Sequence, residues 1–213
     1  MGNGERSLRR ALHQAGSASF EPLPALHLLG PFSAGKDSGK LMLDTVWSEK
    51  GEAMAIAGDF DPNHEFRLPQ GGIANWRPML APTADGIYDF AAAQPVASFP
   101  VTYAQCIVER KAAGEAILKL GCDWRVKVWC NGEEVFRSES GARIPRFEVK
   151  LNLKAGENVL AFKVGSGSSG HKLIALLATE KSGEDSAADP ELDAMTLYED
   201  DVVGFDPYEF HYW

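Results

Sequence analysis

The chain predicts an all-β fold, an antiparallel β-sandwich, and three observations predict it. Residues 123–130 (Asp-Trp-Arg-Val-Lys-Val-Trp-Cys) alternate apolar and polar, Asn131-Gly132 follows, and residues 133–137 resume a strand-like run. Asn-Gly between two such runs is the strongest short-range hairpin signal, because both central residues of a type I′ turn need positive φ. Two further runs, Arg146–Leu153 and Asn158–Val164, are spaced by turn residues as in a sandwich.

Taken in order, residues 5–15 form a short amphipathic helix, with Leu8, Ala11, Leu12 and Ala15 on one face. Pro22 and Pro24 break the chain after it. Ala25–Phe32 reads as a buried strand ending at Gly30-Pro31. Residues 41–72 are poorly patterned and rich in Gly, Pro and Asp, so they read as short strands and long loops. Asn75–Pro78 is turn-rich, Ile87–Phe90 is a short strand, and Phe99–Arg110 and Ala116–Leu120 continue the sheet.

The later strands have assignable faces. Trp124, Val126, Val128 and Cys130 share one side; Arg125, Lys127 and Trp129 share the other. Phe147, Val149, Leu151 and Leu153 point inward, with Glu148, Lys150 and Asn152 toward water. Leu160, Phe162 and Val164 are inward and Lys163 outward. Leu173–Ala178 is the last strand.

The organisation is therefore a helix and linker over 1–24, a sandwich over 25–181 and an acidic tail over 182–213. Charge marks the last boundary. All 21 Lys and Arg precede residue 182, against 20 of the 30 acids, so the tail carries −10 of a net −9. Neither part offers the basic face that nucleic-acid binding requires. No apolar run is long enough to span a bilayer as a helix. Residues 11–16 are too short and polar for a signal h-region, which leaves an intracellular protein or a chain whose leader is absent. Cys122 and Cys130 sit at opposite ends of one strand, roughly 26 Å apart at ~3.3 Å per residue, so they cannot pair with each other. The three thiols read as small buried hydrophobes.

Several segments resemble one group of bacterial modules. Leu29–Phe32, Asp44–Val46, Trp76-Arg77 and Asp85–Asp89 appear in the order those modules show. So do Leu120–Asp123, Lys127–Gly132 and Leu153–Leu160. The modules are galactose-binding-like, jelly-roll domains found beside glycoside hydrolases and related polysaccharide enzymes. Residues 128–135 also look like the strand-turn-strand of the sugar-binding domain of family 2 glycosidases. The resemblance spans about residues 25–179. It implies a jelly-roll fold and a non-catalytic role in carbohydrate binding, or as an accessory to a carbohydrate-active enzyme.

Sugar recognition needs an aromatic face for the pyranose C–H surface beside side chains that pair with hydroxyls. Trp129, on the face of Arg125 and Lys127 and next to the Asn131 turn, fits that need, followed by Trp76-Arg77 and Trp47. The alternative is that Trp129 is core, or that residues 33–98 cover both sheet faces. Asp59 and Asp61 lie in an Asp-Phe-Asp-Pro-Asn run that suits Ca²⁺ in part, without the glycine and terminal Glu of an EF-hand loop; a solvated turn is the other reading. Residues 165–172 have His171 where a phosphate loop needs Lys. The five histidines show no metal spacing, and no carboxylate pair stands out for glycoside cleavage.

The tail ends Gly204-Phe205-Asp-Pro-Tyr208-Glu-Phe210-His-Tyr212-Trp213. Extended, Tyr208, Phe210 and Tyr212 line one face, and with Phe205 and Trp213 they suit docking onto a partner or a second copy of this chain. A fold-back onto its own sandwich, or the start of a further domain, are the alternatives. Two functions therefore compete with the carbohydrate-binding module: a docking subunit, and a glycoside-active enzyme with an unrecognised carboxylate pair.

Overall fold

The computed structural model describes residues 19–34, 41–67, 73–94, 97–140, 142–167 and 170–178. The N-terminal helix and the aromatic tail of the sequence reading lie outside these residues. The described residues all belong to one compact unit ending at Thr179.

Twelve strands build two antiparallel sheets. They are β1 (Phe20–Pro22), β2 (Leu26–Ser33), β3 (Glu65–Arg67), β4 (Ile73–Leu80), β5 (Ile87–Asp89) and β6 (Pro100–Arg110). After them come β7 (Gly114–Cys122), β8 (Arg125–Cys130), β9 (Glu133–Ser138), β10 (Ala142–Leu153), β11 (Gly156–Gly165) and β12 (Lys172–Ala178). One sheet runs β1-β12-β7-β10, with β5 also on β12; the other runs β3-β4-β2-β6-β11-β8-β9. Two helices, α1 (Glu49–Ala57) and α2 (Phe90–Ala93), complete the described part.

The alternation in the sequence decides what lies between the sheets. Val126, Val128 and Cys130 of β8 meet Leu160, Phe162 and Val164 of β11, and face Leu118 and Leu120 of β7, Val149 and Leu151 of β10, and Leu173 and Leu177 of β12. All three cysteines are buried. The hairpin turn forms as its residues dictate: Asn131 has φ of 51° and Gly132 of 93°. Asn131 Nδ2 donates to Asn158 Oδ1 at 2.9 Å, and Asn131 Oδ1 accepts from Val159 N at 3.0 Å, so its side chain is spent on the turn.

Three elements differ from the sequence reading. Phe20–Pro22, placed in a linker, pairs with β12. Residues 49–57, read as loop, form α1: Ser48 Oγ accepts from Gly51 N at 3.1 Å and Gly58 caps the other end in the left-handed region. A Ser and a Gly ten residues apart bracketed that helix, but its alanine-rich body lacks the apolar stripe that would have announced it. Asn75–Pro78, read as a turn, lies inside β4. Pro78 is tolerated because the β2–β4 register slips there, with Leu28 opposite Arg77 but Leu26 opposite Leu80.

A second core lies on the far side of the seven-stranded sheet. Residues 41–67 pack there, with Met42, Ala55 and Phe66 against Leu29, Phe32, Trp76, Val101 and Tyr103. The approach is close: a Cβ on Gly165 would stand 2.0 Å from Met42 Sδ.

Candidate functional site

The face that the sequence offers for ligand binding is the one residues 41–67 cover. Trp129 is 6% exposed, with Lys127 Nζ 5.3 Å from its ring centre. Lys127 pairs with Glu134 at 3.2 Å. Arg125 is buried, lies over the Trp124 ring and pairs with Glu139. Trp76, 2% exposed, packs in the second core with its edge toward Phe60. Trp47 is half-buried and donates its indole N–H to the Met42 carbonyl at 3.2 Å. Alternation put Arg125, Lys127 and Trp129 on one face; that all three are buried there is a long-range fact that alternation does not carry.

Lys163 fastens that cover. It points away from the inter-sheet core, as the pattern requires, but is 1% exposed rather than solvated. Its Nζ donates to Leu43 O at 3.0 Å, to Thr45 O at 2.7 Å and to Glu52 Oε2 at 3.0 Å. The Tyr103 hydroxyl donates to the same Glu52 oxygen at 2.7 Å. Burial pushes the Lys163 pKa down, and Glu52 opposes that shift. Burial pushes the Tyr103 pKa up, reinforced by Glu52. These groups are already bonded to one another, so they form a structural clamp.

Asp59 and Asp61 lie in the same covering segment. Asp61 Oδ1 accepts from Asn63 N at 2.9 Å, and the Asp59 carbonyl accepts from Gln105 Nε2 at 2.6 Å. Among the described residues no three His, Cys, Asp or Glu side chains group as a metal site.

The open concavities lie elsewhere. β4 alternates Ala74 and Trp76 into the second core with Ile73, Asn75 and Arg77 on the other side. That side is the one carrying Leu28, opposite Arg77 in the register. Ile73, Asn75 and Arg77 line a hollow of about 540 Å³ with Gly30, Pro31, Ala74 and Ala97. Ile73 is exposed, and Asn75 and Arg77 are half-buried. Neither Asn75 nor Arg77 has a side-chain partner among the described residues. An amide offers two donors and an acceptor, and a guanidinium five donors, so this row holds unspent hydrogen-bonding capacity beside an apolar side chain. Arg77 was foreseen as a candidate; Asn75 was missed because the segment did not read as a strand, and only strand alternation pairs the two.

A second hollow of about 310 Å³ adjoins it, and Ala97 lines both. Phe90, Gln94, Phe99 and His171 contribute to its wall. The Thr102 hydroxyl donates to Gln94 Oε1 at 2.7 Å, and Gln94 Nε2 is buried without a partner among the described residues. A buried unpaired donor costs about 1–3 kcal/mol, so it asks for an explanation. Burial pushes the His171 pKa down to about 4, against smaller opposing effects of Val164 O and Asp89, so the ring is neutral near pH 7.

No family model matches the chain, and no curated protein matches it. The solved structures to which it is similar include glycoside hydrolases. A β-glucuronidase from Ruminococcus gnavus, in complex with C6-substituted uronic isofagomine, is 12% identical over 76% of this chain and 29% of its own, with a TM-score of 0.41. A β-glucuronidase from an uncultured Clostridium sp. is 13% identical over 76% and 29%, with a TM-score of 0.38. A β-glucosidase from Kluyveromyces marxianus, in complex with glucose, is 18% identical over 38% and 11%, with a TM-score of 0.33. The chain spans less than a third of the length of each.

Proposed function

We propose that this chain is a non-catalytic carbohydrate-binding module of the galactose-binding-like, jelly-roll kind, accessory to a carbohydrate-active enzyme. One observation carries the reading: Ile73, Asn75 and Arg77 stand in a row along one face of β4, line a hollow, and leave their amide and guanidinium groups unspent. Ile73 gives an apolar surface for the pyranose C–H face, in place of the aromatic ring such sites commonly use, and Asn75 and Arg77 give donors and an acceptor for its ring of hydroxyls. The quoted segments between residues 29 and 160 support the same class by resemblance. In this reading the ligand meets β4, and Trp129 and Trp76 serve as packing.

Affinity electrophoresis through gels containing soluble plant and microbial polysaccharides tests it. At least one polysaccharide is expected to retard the full chain, and the Asn75→Ala and Arg77→Ala variants are expected to lose that retardation while melting like the parent. Retardation unchanged by both substitutions would place the ligand elsewhere, and no retardation by any polysaccharide would remove the carbohydrate reading.

A further inference from the structure

The second hollow differs from an ordinary packing gap in three ways. Gln94, 8% exposed, spends Oε1 on Thr102, and its Nε2 has no partner among the described residues. His171, 3% exposed, donates Nε2–H to the Val164 carbonyl at 3.2 Å, so in the neutral ring Nδ1 is an acceptor, and it has no partner among the described residues. Phe99 holds a φ of 50°, a region that disfavours a residue with a Cβ, and strain of this kind gathers at ligand clamps. The wall therefore holds one unspent donor and one unspent acceptor among the described residues, and the half-buried ring of Phe99.

That set selects a ligand chemistry. A hydroxyl both donates and accepts, so it can satisfy Gln94 and His171 together, while an apolar C–H face covers the Phe99 ring. A carboxylate or phosphate calls for a cation, and no Lys or Arg is among the described lining residues. An ammonium group calls for a carboxylate, and none of these residues supplies one.

We propose that this hollow is a subsite for one uncharged, hydroxylated sugar ring, continuous through Ala97 with the Arg77 hollow, so that the chain takes a ligand of two or more units. The inference rests on the carbohydrate-binding reading and narrows it. The ring stacks on Phe99, one hydroxyl bridges Gln94 Nε2 and His171 Nδ1, and the neighbouring unit reaches Asn75 and Arg77.

The test uses the full chain with neutral disaccharides (cellobiose, lactose, mannobiose) and a galacturonic acid dimer as probes. Calorimetry gives affinities, and ¹⁵N spectra follow the Gln94 side-chain amide in the unmodified protein. At least one neutral disaccharide is expected to shift the Gln94 amide, and Gln94→Leu and Phe99→Ala to weaken its binding at least tenfold. Two outcomes overturn the subsite while leaving the module reading standing. In one, Arg77→Ala abolishes binding, but the Gln94 amide stays put and both wall variants bind like the parent. In the other, only the acidic dimer moves the Gln94 amide. If no glycan, short or polymeric, binds the unmodified chain, both readings fall. The amide readout needs no substitution, so a variant that fails to fold does not protect the idea.

Discussion

The covered face of the seven-stranded sheet and the hollows beside β4 use similar residue types to opposite ends. On the covered face, the cations are held in ion pairs and against aromatic rings, while Arg125 Nε and the Trp76 indole N–H are buried without a partner among the described residues. Lys163 has two carbonyls and Glu52, Lys127 has Glu134 and the Trp129 ring, and Arg125 has Glu139 and the Trp124 ring. Beside β4, Asn75, Arg77, Gln94 and His171 keep atoms without partners among the described residues. The difference is between charge used to hold the chain together and polarity left available to something else. An Arg–Trp or Lys–Trp neighbourhood therefore signals recognition only when its cation is not already paired with a carboxylate.

The strongest way to break this comparison is to remove Lys163. Taking out one partner of a buried ion pair strands the other charge and costs about 3–5 kcal/mol. Lys163→Ala would leave Glu52 and the Leu43 and Thr45 carbonyls without their shared donor. Urea unfolding followed by tryptophan fluorescence is expected to show a loss of that size, and Lys163→Met with Glu52→Gln to lose less than Lys163→Ala. A loss below 1 kcal/mol would mean that the cover is held by its apolar contacts alone.

The next effect belongs to the hollow. His171 has its folded pKa lowered to about 4, below its ordinary value of 6.5. A lowered folded pKa means the unfolded chain binds the proton first. The stabilisation is complete above pH 6.5 and drains away as pH falls toward 4. A shift of that span corresponds to about 3 kcal/mol. Asp89, itself paired with Lys172 at 3.4 Å, is the nearby charge that works against the shift. Burial also lowers the His27 pKa. The informative quantity is thus the difference between the parent and His171→Gln: the variant's unfolding free energy should fall less steeply between pH 6.5 and 4. Parallel curves would show that His171 is hydrated and not enclosed.

A smaller effect probes how tightly the cover lies. The Cβ of Gly165→Ala would stand 2.0 Å from Met42 Sδ, the end of a flexible side chain that can move aside in part. Overpacking of this kind costs about 1–3 kcal/mol, and a drop in Tm is the readout. A neutral substitution would show that residues 41–45 can lift from β11.

These comparisons also show what the sequence made legible. The hairpin at Asn131-Gly132 and the inward rows of β8, β10 and β11 followed from period-two alternation and turn chemistry, both local properties. The cover did not follow, because Met42 and Glu52 meet Gly165 and Lys163 across more than a hundred residues of chain. Arg77 was legible as a residue type, but not its alliance with Asn75. Pro78 argued against a strand until the register slip between β2 and β4 made room for it. Gln94 and His171 carried no sequence signal at all, since an unpaired amide nitrogen is a property of packing.

The smallest expected change in stability is the most discriminating. Arg77 is half-buried and has no hydrogen-bond or ion-pair partner among the described residues. Replacing such a group by alanine leaves no partner stranded, so Arg77→Ala should change the unfolding free energy by no more than about 0.5 kcal/mol. The contrast with Lys163→Ala is sharp because both are long cations on the same sheet. If Arg77→Ala instead costs more than about 2 kcal/mol in the absence of any glycan, the guanidinium is structural and the hollow is a second clamp. If stability holds while polysaccharide binding is lost, the two cations have divided labour. One spends its donors inside the fold, and the other holds them in reserve at a surface with room for a ligand.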